Sequence, residues 1–354
     1  MPNKHLVYID SEWVISIKAP VLVDERAAIV SMIRGGLKVF TVDAKPSGHL
    51  YGLHDIINNL EGNAFEIVKL DGMCLGGQCS KPIVDALSNS VHLRAIECLM
   101  SVIRDDGAVA LAKALQHCPS LRVVRLVEAM ISHRGALALL TRLPLEQLED
   151  LNLGGNGLSV DTMKELASAM RAGRLRKLKK LGLVKVDMCD EGLLAVCEAL
   201  PNCPSIKTLL LSRNLFEQPS VAALAQMLGR CPTLQAIGLT DNNFTNLDQL
   251  AVEVRHHPAL ETLDLTHSVA IGDEEILRFA EVAFHPNVRL KYLHTYNSKV
   301  SAATRDWIIG QLAAYQCPLR AGVIALIMAS YRDGFRLHRR LPMELICLVK
   351  DCLV

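Results

Sequence analysis

Aliphatic residues recur along this chain in one fixed frame. In LEDLNLGGNGL (148–158), IKTLLLSRNLF (206–216) and LQAIGLTDNNF (234–244), aliphatics hold positions one, four and six. Asparagine holds position nine, and an apolar residue position eleven. The frame begins more loosely at Leu37, Phe65, Leu93, Leu121, Leu178, Leu260 and Leu290. Intervals between the ten starts are 28, 28, 28, 27, 30, 28, 28, 26 and 30 residues, a period too regular for chance. After each frame the apolar spacing lengthens to that of a helix face, as in GAVALAKALQHCP (107–119), GLLAVCEALPNCP (192–204) and SVAALAQMLGRCP (220–232). Pro119, Pro204 and Pro232 remove a backbone donor just past these segments and end them.

Each unit therefore predicts a short strand, a loop and a helix. Aliphatics at one, four and six point inward as the strand bends into the loop. Asn156, Asn214 and Asn242 then turn their amides inward to satisfy loop backbone groups that would otherwise be buried unpaired. Cys118, Cys203 and Cys231 share one phase and are expected to plug the same buried gap in successive coils. A catalytic thiol repeated at that phase is not indicated.

The pattern resembles the leucine-rich repeat, L-x-x-L-x-L-x-x-N/C-x-L, over roughly residues 37 to 300. Glycine at the fifteenth position (Gly107, Gly135, Gly192) is most similar to the ribonuclease-inhibitor subtype. The resemblance implies an α/β horseshoe solenoid of about ten repeats, with a parallel concave sheet, convex helices and a helical C-terminal cap. The expected organisation is an N-terminal cap over 1–36, the array over 37–316 and a helical, F-box-like segment over 317–354. Apolar VISI and a helix over DERAAIVSMIRGG would supply the first cap.

Composition narrows the reading. Half the residues are hydrophobic and only 4% aromatic, so Leu, Ala, Val and Ile carry the core. A net charge of +1 supplies no global field toward nucleic acid or anionic membrane. Eleven scattered cysteines include no Cys-x-x-Cys pair. Cys74 and Cys79 could join His49 and His54 around a metal, but buried thiols in a reducing compartment are the favoured reading. The first twenty residues lack the apolar core of a signal peptide, and AGVIALIMA (321–329) is too short to span a bilayer. A soluble cytoplasmic or nuclear protein is expected, monomeric and without cofactor or metal.

The catalytic scan is negative for phosphate-loop, zincin, nucleophile-elbow and dinucleotide motifs. GGNG (154–157) falls on the asparagine loop of a repeat, and Asp105–Asp106 and Glu274–Glu275 read as helix-start charges. Ran-type GTPase activators share this repeat subtype, and Arg104 and Arg134 lie near loop-to-helix junctions. Nothing around either arginine matches a transferable motif.

In the leucine-rich repeat that this pattern resembles, positions two, three, five, seven and eight of each strand face the concave side. At positions five and seven the early units are charged and the middle ones small or apolar, and the late units gather His267, Tyr292, His294 and Tyr296 on this face. Candidate partner-binding residues are Arg125, Asn152, Leu210, Asp264, His267, Tyr292, His294 and Tyr296. Tyrosine offers area, rigidity and a hydroxyl, which suits a binding anchor. The competing reading buries both tyrosines beneath the C-terminal cap.

In the tail, LPMELICLVKDCL (341–353) resembles the first helix of an F-box through Leu341, Pro342, Glu344, Leu345, Val349 and Leu353. An F-box normally precedes the repeats and spans three helices, and this segment provides one. The resemblance implies docking to a Skp-type adaptor through Leu341, Pro342, Leu345, Val349 and Leu353; the competing reading is a plain capping helix. The expected function is non-catalytic protein recognition on the concave face, in its specific form as a ubiquitin-ligase substrate adaptor. A scaffold or inhibitor of the ribonuclease-inhibitor type, and a Ran-type GTPase activator, are the alternatives.

Overall fold

The computed structural model describes three early strands and then residues 66–316 apart from 73–74, 77–80, 89, 215, 287 and 297–298. Of the first 65 residues only those strands are described. The expected helix over 24–36, the proposed Cys74–Cys79–His49–His54 cluster and the whole tail from 317, including Leu341 to Leu353, lie outside the described residues.

The strands are β1 (Leu6–Ile9), β2 (Glu12–Lys18), β3 (Val39–Asp43), β4 (Ile67–Asp71), β5 (Ala95–Leu99) and β6 (Val123–Val127). Shorter ones follow: β7 (Asp150–Asn152), β8 (Lys180–Gly182), β9 (Thr208–Leu210), β10 (Ala236–Gly238), β11 (Thr262–Asp264) and β12 (Tyr292–His294). They form one sheet in sequence order. β1 pairs antiparallel with β2, and every later pairing is parallel.

Helices return the chain between strands: α1 (Lys81–Leu87), α2 (Arg104–Leu115), α3 (His133–Arg142), α4 (Val160–Arg171) and α5 (Asp190–Ala199). The later ones are α6 (Gln218–Arg230), α7 (Asp248–His256), α8 (Asp273–Ala283) and α9 (Ala302–Gln316). Parallel neighbours need such crossovers, and successive helices pack side by side behind the sheet. The fold is thus the expected α/β solenoid, with strands β3 to β12 starting in the ten predicted frames.

Burial follows the frame. Leu148, Leu151 and Leu153 are fully buried or nearly so, as are Ile206, Leu209 and Leu211 and then Leu234, Ile237 and Leu239. Asn156, Asn214 and Asn242 are buried and form the expected ladder. Asn156 Oδ1 accepts from the N–H groups of Ala129 and Ile131, both at 3.0 Å, one repeat earlier. Its Nδ2 donates to the carbonyls of Leu126 at 2.7 Å and Leu153 at 2.8 Å. Asn214 repeats the pattern with Val186, Met188, Leu183 and Leu211. Asn242 accepts instead from the Asn214 N–H.

The cysteine phase is also as expected. Cys118, Cys203 and Cys231 are buried, and burial pushes their thiols up to about 11, 12 and 11. Such thiols stay protonated and inert.

The backbone conformation at position eight was not anticipated. Gly72, Met100, Glu128, Gly155, Lys185, Arg213, Asp241 and His267 all have φ between 51° and 70°. From that left-handed conformation each N–H reaches the position-seven carbonyl of the next unit, as in Met100 to Val127 (2.9 Å) and Asp241 to Thr266 (2.8 Å). A non-glycine residue there costs about 1–2 kcal/mol, and the inter-repeat hydrogen bond offsets part of it.

Candidate protein-recognition face

Strand register lines the position-five residues into one row across the sheet face opposite the described helices. Lys69 stands opposite Glu97, then come Arg125, Asn152, Gly182, Leu210, Gly238, Asp264 and His294. The row divides into three zones with different chemistry.

The first zone is an ion ladder. Lys69 Nζ lies 3.6 Å from Glu97 Oε1, and Arg125 Nη1 lies 3.3 Å from the same oxygen. Arg125 also donates to Asp150 Oδ2 from Nη2 at 2.6 Å and Nε at 3.1 Å. The Asp150 hydrogen bond holds the guanidinium pKa above its ordinary value, with Glu97 adding to it, against the cost of partial burial. Arg125 is therefore committed within the sheet. Asp150, a position-three residue, is only 7% exposed. Position three was expected on this face, but Asp150 was not singled out, because its partner Arg125 lies on the neighbouring strand.

The middle zone is a shelf. A Cβ on Gly182 would fall 2.5 Å from Asn152 Cγ, and one on Gly238 would lie 3.3 Å from Leu210 Cδ2. Both glycines are buried because the preceding unit's side chain lies over them. Asn152 is fixed further by accepting from the Gly154 N–H at 3.0 Å. The two predicted residues Asn152 and Leu210 thus present a flat, half-buried surface.

The third zone is aromatic. Tyr292, His294 and Tyr296 project from alternate positions of the last described strand and its extension. Tyr292 and His294 rings are 6.1 Å apart with planes 1° from parallel; His294 and Tyr296 are 6.5 Å apart at 26°. These separations follow the two-residue repeat of a strand and leave the rings as a row of parallel plates. Arg305 from α9 stands 5.8 Å from the Tyr296 centroid, within cation–π range. Tyr292 and Tyr296 are each 56% exposed, so α9 does not bury them. Asp264 lies opposite His294 and uses Oδ1 to accept from the Thr266 N–H at 2.9 Å. His267, exposed at position eight, donates its backbone N–H to Tyr296.

The eight predicted face residues thus fall into three places. Arg125 belongs to the ion ladder, Asn152 and Leu210 to the shelf, and the other five gather at the C-terminal end. Arg305 joined them unannounced, because only helix packing brings α9 back toward β12.

Arg104 and Arg134, the residues considered for a GTPase activator, are exposed at the starts of α2 and α3. Between them Asp105 accepts from the Ser132 N–H at 2.8 Å, the Ser132 hydroxyl at 2.6 Å and the Gly135 N–H at 3.1 Å. Asp105 therefore caps the next repeat's helix. Asp190 does the same through Glu217 and Ser220, and Asp273 through Ser301. The helix-start carboxylates are structural, and the cross-repeat target was not visible in their spacing.

No family model matches the chain. It is 28% identical over 271 residues to bovine NACHT, LRR and PYD domains-containing protein 9, covering 72% of this chain and 26% of that protein. It is 28% identical over 156 residues to human Protein NLRC5, covering 44% of this chain and 7% of that one. The chain thus spans about a quarter or less of these relatives. Among solved structures, the Rad7 and Elc1 complex in yeast matches with a TM-score of 0.55 at 15% identity, over 82% of this chain and 65% of the matched one. Its sheet register, its asparagine ladder and these likenesses make the chain an α/β solenoid of leucine-rich repeats.

Proposed function

We propose that this chain is a non-catalytic protein-recognition module that takes its partner on the concave face, anchored at Tyr292, His294 and Tyr296. The observation that carries this reading is the exposed row of parallel rings beside Asp264 and Arg305. Aromatic anchors next to charged groups are the usual hot-spot composition, and Tyr292 and Tyr296 provide them here. The ion ladder at the other end is internally neutralised and contributes shape and partner selection more than affinity.

In its specific form the module is a ubiquitin-ligase substrate adaptor. Residues 341–353 then dock a Skp-type adaptor, on the strength of their F-box-like spelling, while the repeats hold the substrate. No nucleic acid or membrane is part of this reading; no described helix is long and apolar enough to cross a membrane.

Affinity purification with mass spectrometry tests both levels. Replacing Tyr292 and Tyr296 with Ala should remove a defined set of protein partners while the circular-dichroism melt stays unchanged; intact capture rejects the face. Co-purification with a Skp-type adaptor should disappear on Leu345→Asp. Small-GTPase hydrolysis in the presence of the chain should remain at the intrinsic rate.

A further inference from the structure

A second cluster of chemistry lies away from the aromatic row, where helices return to strands. Arg255, His256, His257 and Pro258 from one unit and His285 and Arg289 from the next line a cleft of about 410 Å³. That volume is in the range of small-ligand pockets, about 300–1,000 Å³. Two of the six lining residues are arginines, three are histidines, and none is acidic. Glu253 and Glu281 sit on the same two helices, α7 and α8, without lining the cleft.

Basic residues collect at helix C-termini because they complement the macrodipole. That explains Arg255, which donates from Nη1 to the Val282 carbonyl near the end of α8 at 3.0 Å. It does not explain Arg289, which lies outside any helix, between α8 and β12. Arg289 is exposed and makes no hydrogen bond or ion pair among the described residues. Its five N–H donors are unspent, and Arg255 retains four. The floor is fixed: His257 is buried with both ring nitrogens engaged by backbone, and Pro258 and Pro286 restrict the two loops.

We propose that this cleft binds a phosphate monoester carried on a side chain of a protein partner. Two guanidinium groups lining one small cleft match the oxygens of a phosphate dianion, with the His256 ring as a further donor. A small, half-open cleft on a chain of net charge +1 suits one phosphorylated residue better than a flat membrane or an extended nucleic acid. The site does not depend on the aromatic row.

NMR of the His256 and His285 imidazoles, on the full chain, tests it with five probes at matched ionic strength: inorganic phosphate, a phosphoserine peptide, the same peptide unphosphorylated, phosphoinositide vesicles and RNA. The phosphate and phosphopeptide should shift both rings saturably, and the unphosphorylated peptide should not. Arg289→Gln should weaken binding about tenfold, Arg289→Lys should weaken it less, and Tyr292→Ala should leave it unchanged. Unaltered binding by Arg289→Gln with an unchanged melt overturns the proposal. So does an equal response to the unphosphorylated peptide, or Arg289-dependent binding only to phosphoinositide vesicles or RNA.

Discussion

His257 donates from Nε2 to the Cys231 carbonyl at 3.0 Å, one repeat earlier, while its Nδ1 accepts from the Leu260 N–H at 2.8 Å. Acceptance at Nδ1 fixes the ring as the neutral Nε2–H tautomer. His257 also occupies the phase held by Cys203 and Cys231 in the two preceding units. Burial pushes its pKa down, against the Cys231 hydrogen bond and Glu253. The unfolded chain therefore binds a proton that the folded chain resists, so stability is full above the unfolded value of about 6.5 and is lost as pH falls below it. Melting temperature between pH 7.5 and 5.5 should fall less steeply in His257→Cys than in the parent. The slope is the readout, since the substitution also removes hydrogen bonds and lowers the baseline.

The asparagine ladder stops after Asn242. Ser268 stands at the asparagine position of its unit, fully buried, and its hydroxyl has no partner among the described residues. Asn214→Ala should cost about 3 kcal/mol or more, because the Val186 and Met188 N–H groups and the Leu183 carbonyl lose a buried side-chain partner together. Ser268→Asn should raise stability by about 1 kcal/mol by extending the ladder. Denaturant melts of both variants, read as midpoint at constant slope, check the pair.

Asp105 is a helix cap delivered from the neighbouring repeat. The α3 N-cap, Ser132, makes no capping bond with its own side chain. Gly135 makes the arrangement possible, since a Cβ there would stand 2.7 Å from Asp105 Oδ1. Burial pushes the Asp105 pKa up, but the Ser132 and Gly135 hydrogen bonds and Arg134 outweigh it and leave it lowered. Its stabilisation is accordingly present above the unfolded carboxylate value and lost as pH falls through the folded one. Asp105→Ala should cost about 1 kcal/mol at neutral pH and speed amide exchange at Ser132 and Gly135.

Gly182 is required for space, not for its backbone. Gly182→Val should push the Asn152 side chain off the shelf, break its bond to the Gly154 N–H and cost about 1–3 kcal/mol. Asn152→Ala in the same background should recover part of that loss, a coupling that a double-mutant cycle measures.

Repeat period, strand and helix alternation, the asparagine ladder and the buried cysteine phase were all legible in the sequence. Each depends on a residue's phase within its own unit, which a single chain records directly. The left-handed backbone of position eight escaped notice because only Gly72 and Gly155 among its eight described residues announce one. The carbonyl of the following unit holds the other six there. Contacts between units were also hidden: Arg125 reaching Asp150, Asp105 capping α3, and Arg305 returning to Tyr296. Those partners lie about one repeat apart or on a returning helix, and side-chain reach across stacked strands settles them. The sequence by itself determined the solenoid, because near-neighbour periodicity drives its stacking. The tertiary structure decided which face residues are neutralised inside the sheet and which stand exposed, because register sets each residue's neighbours on the next strand.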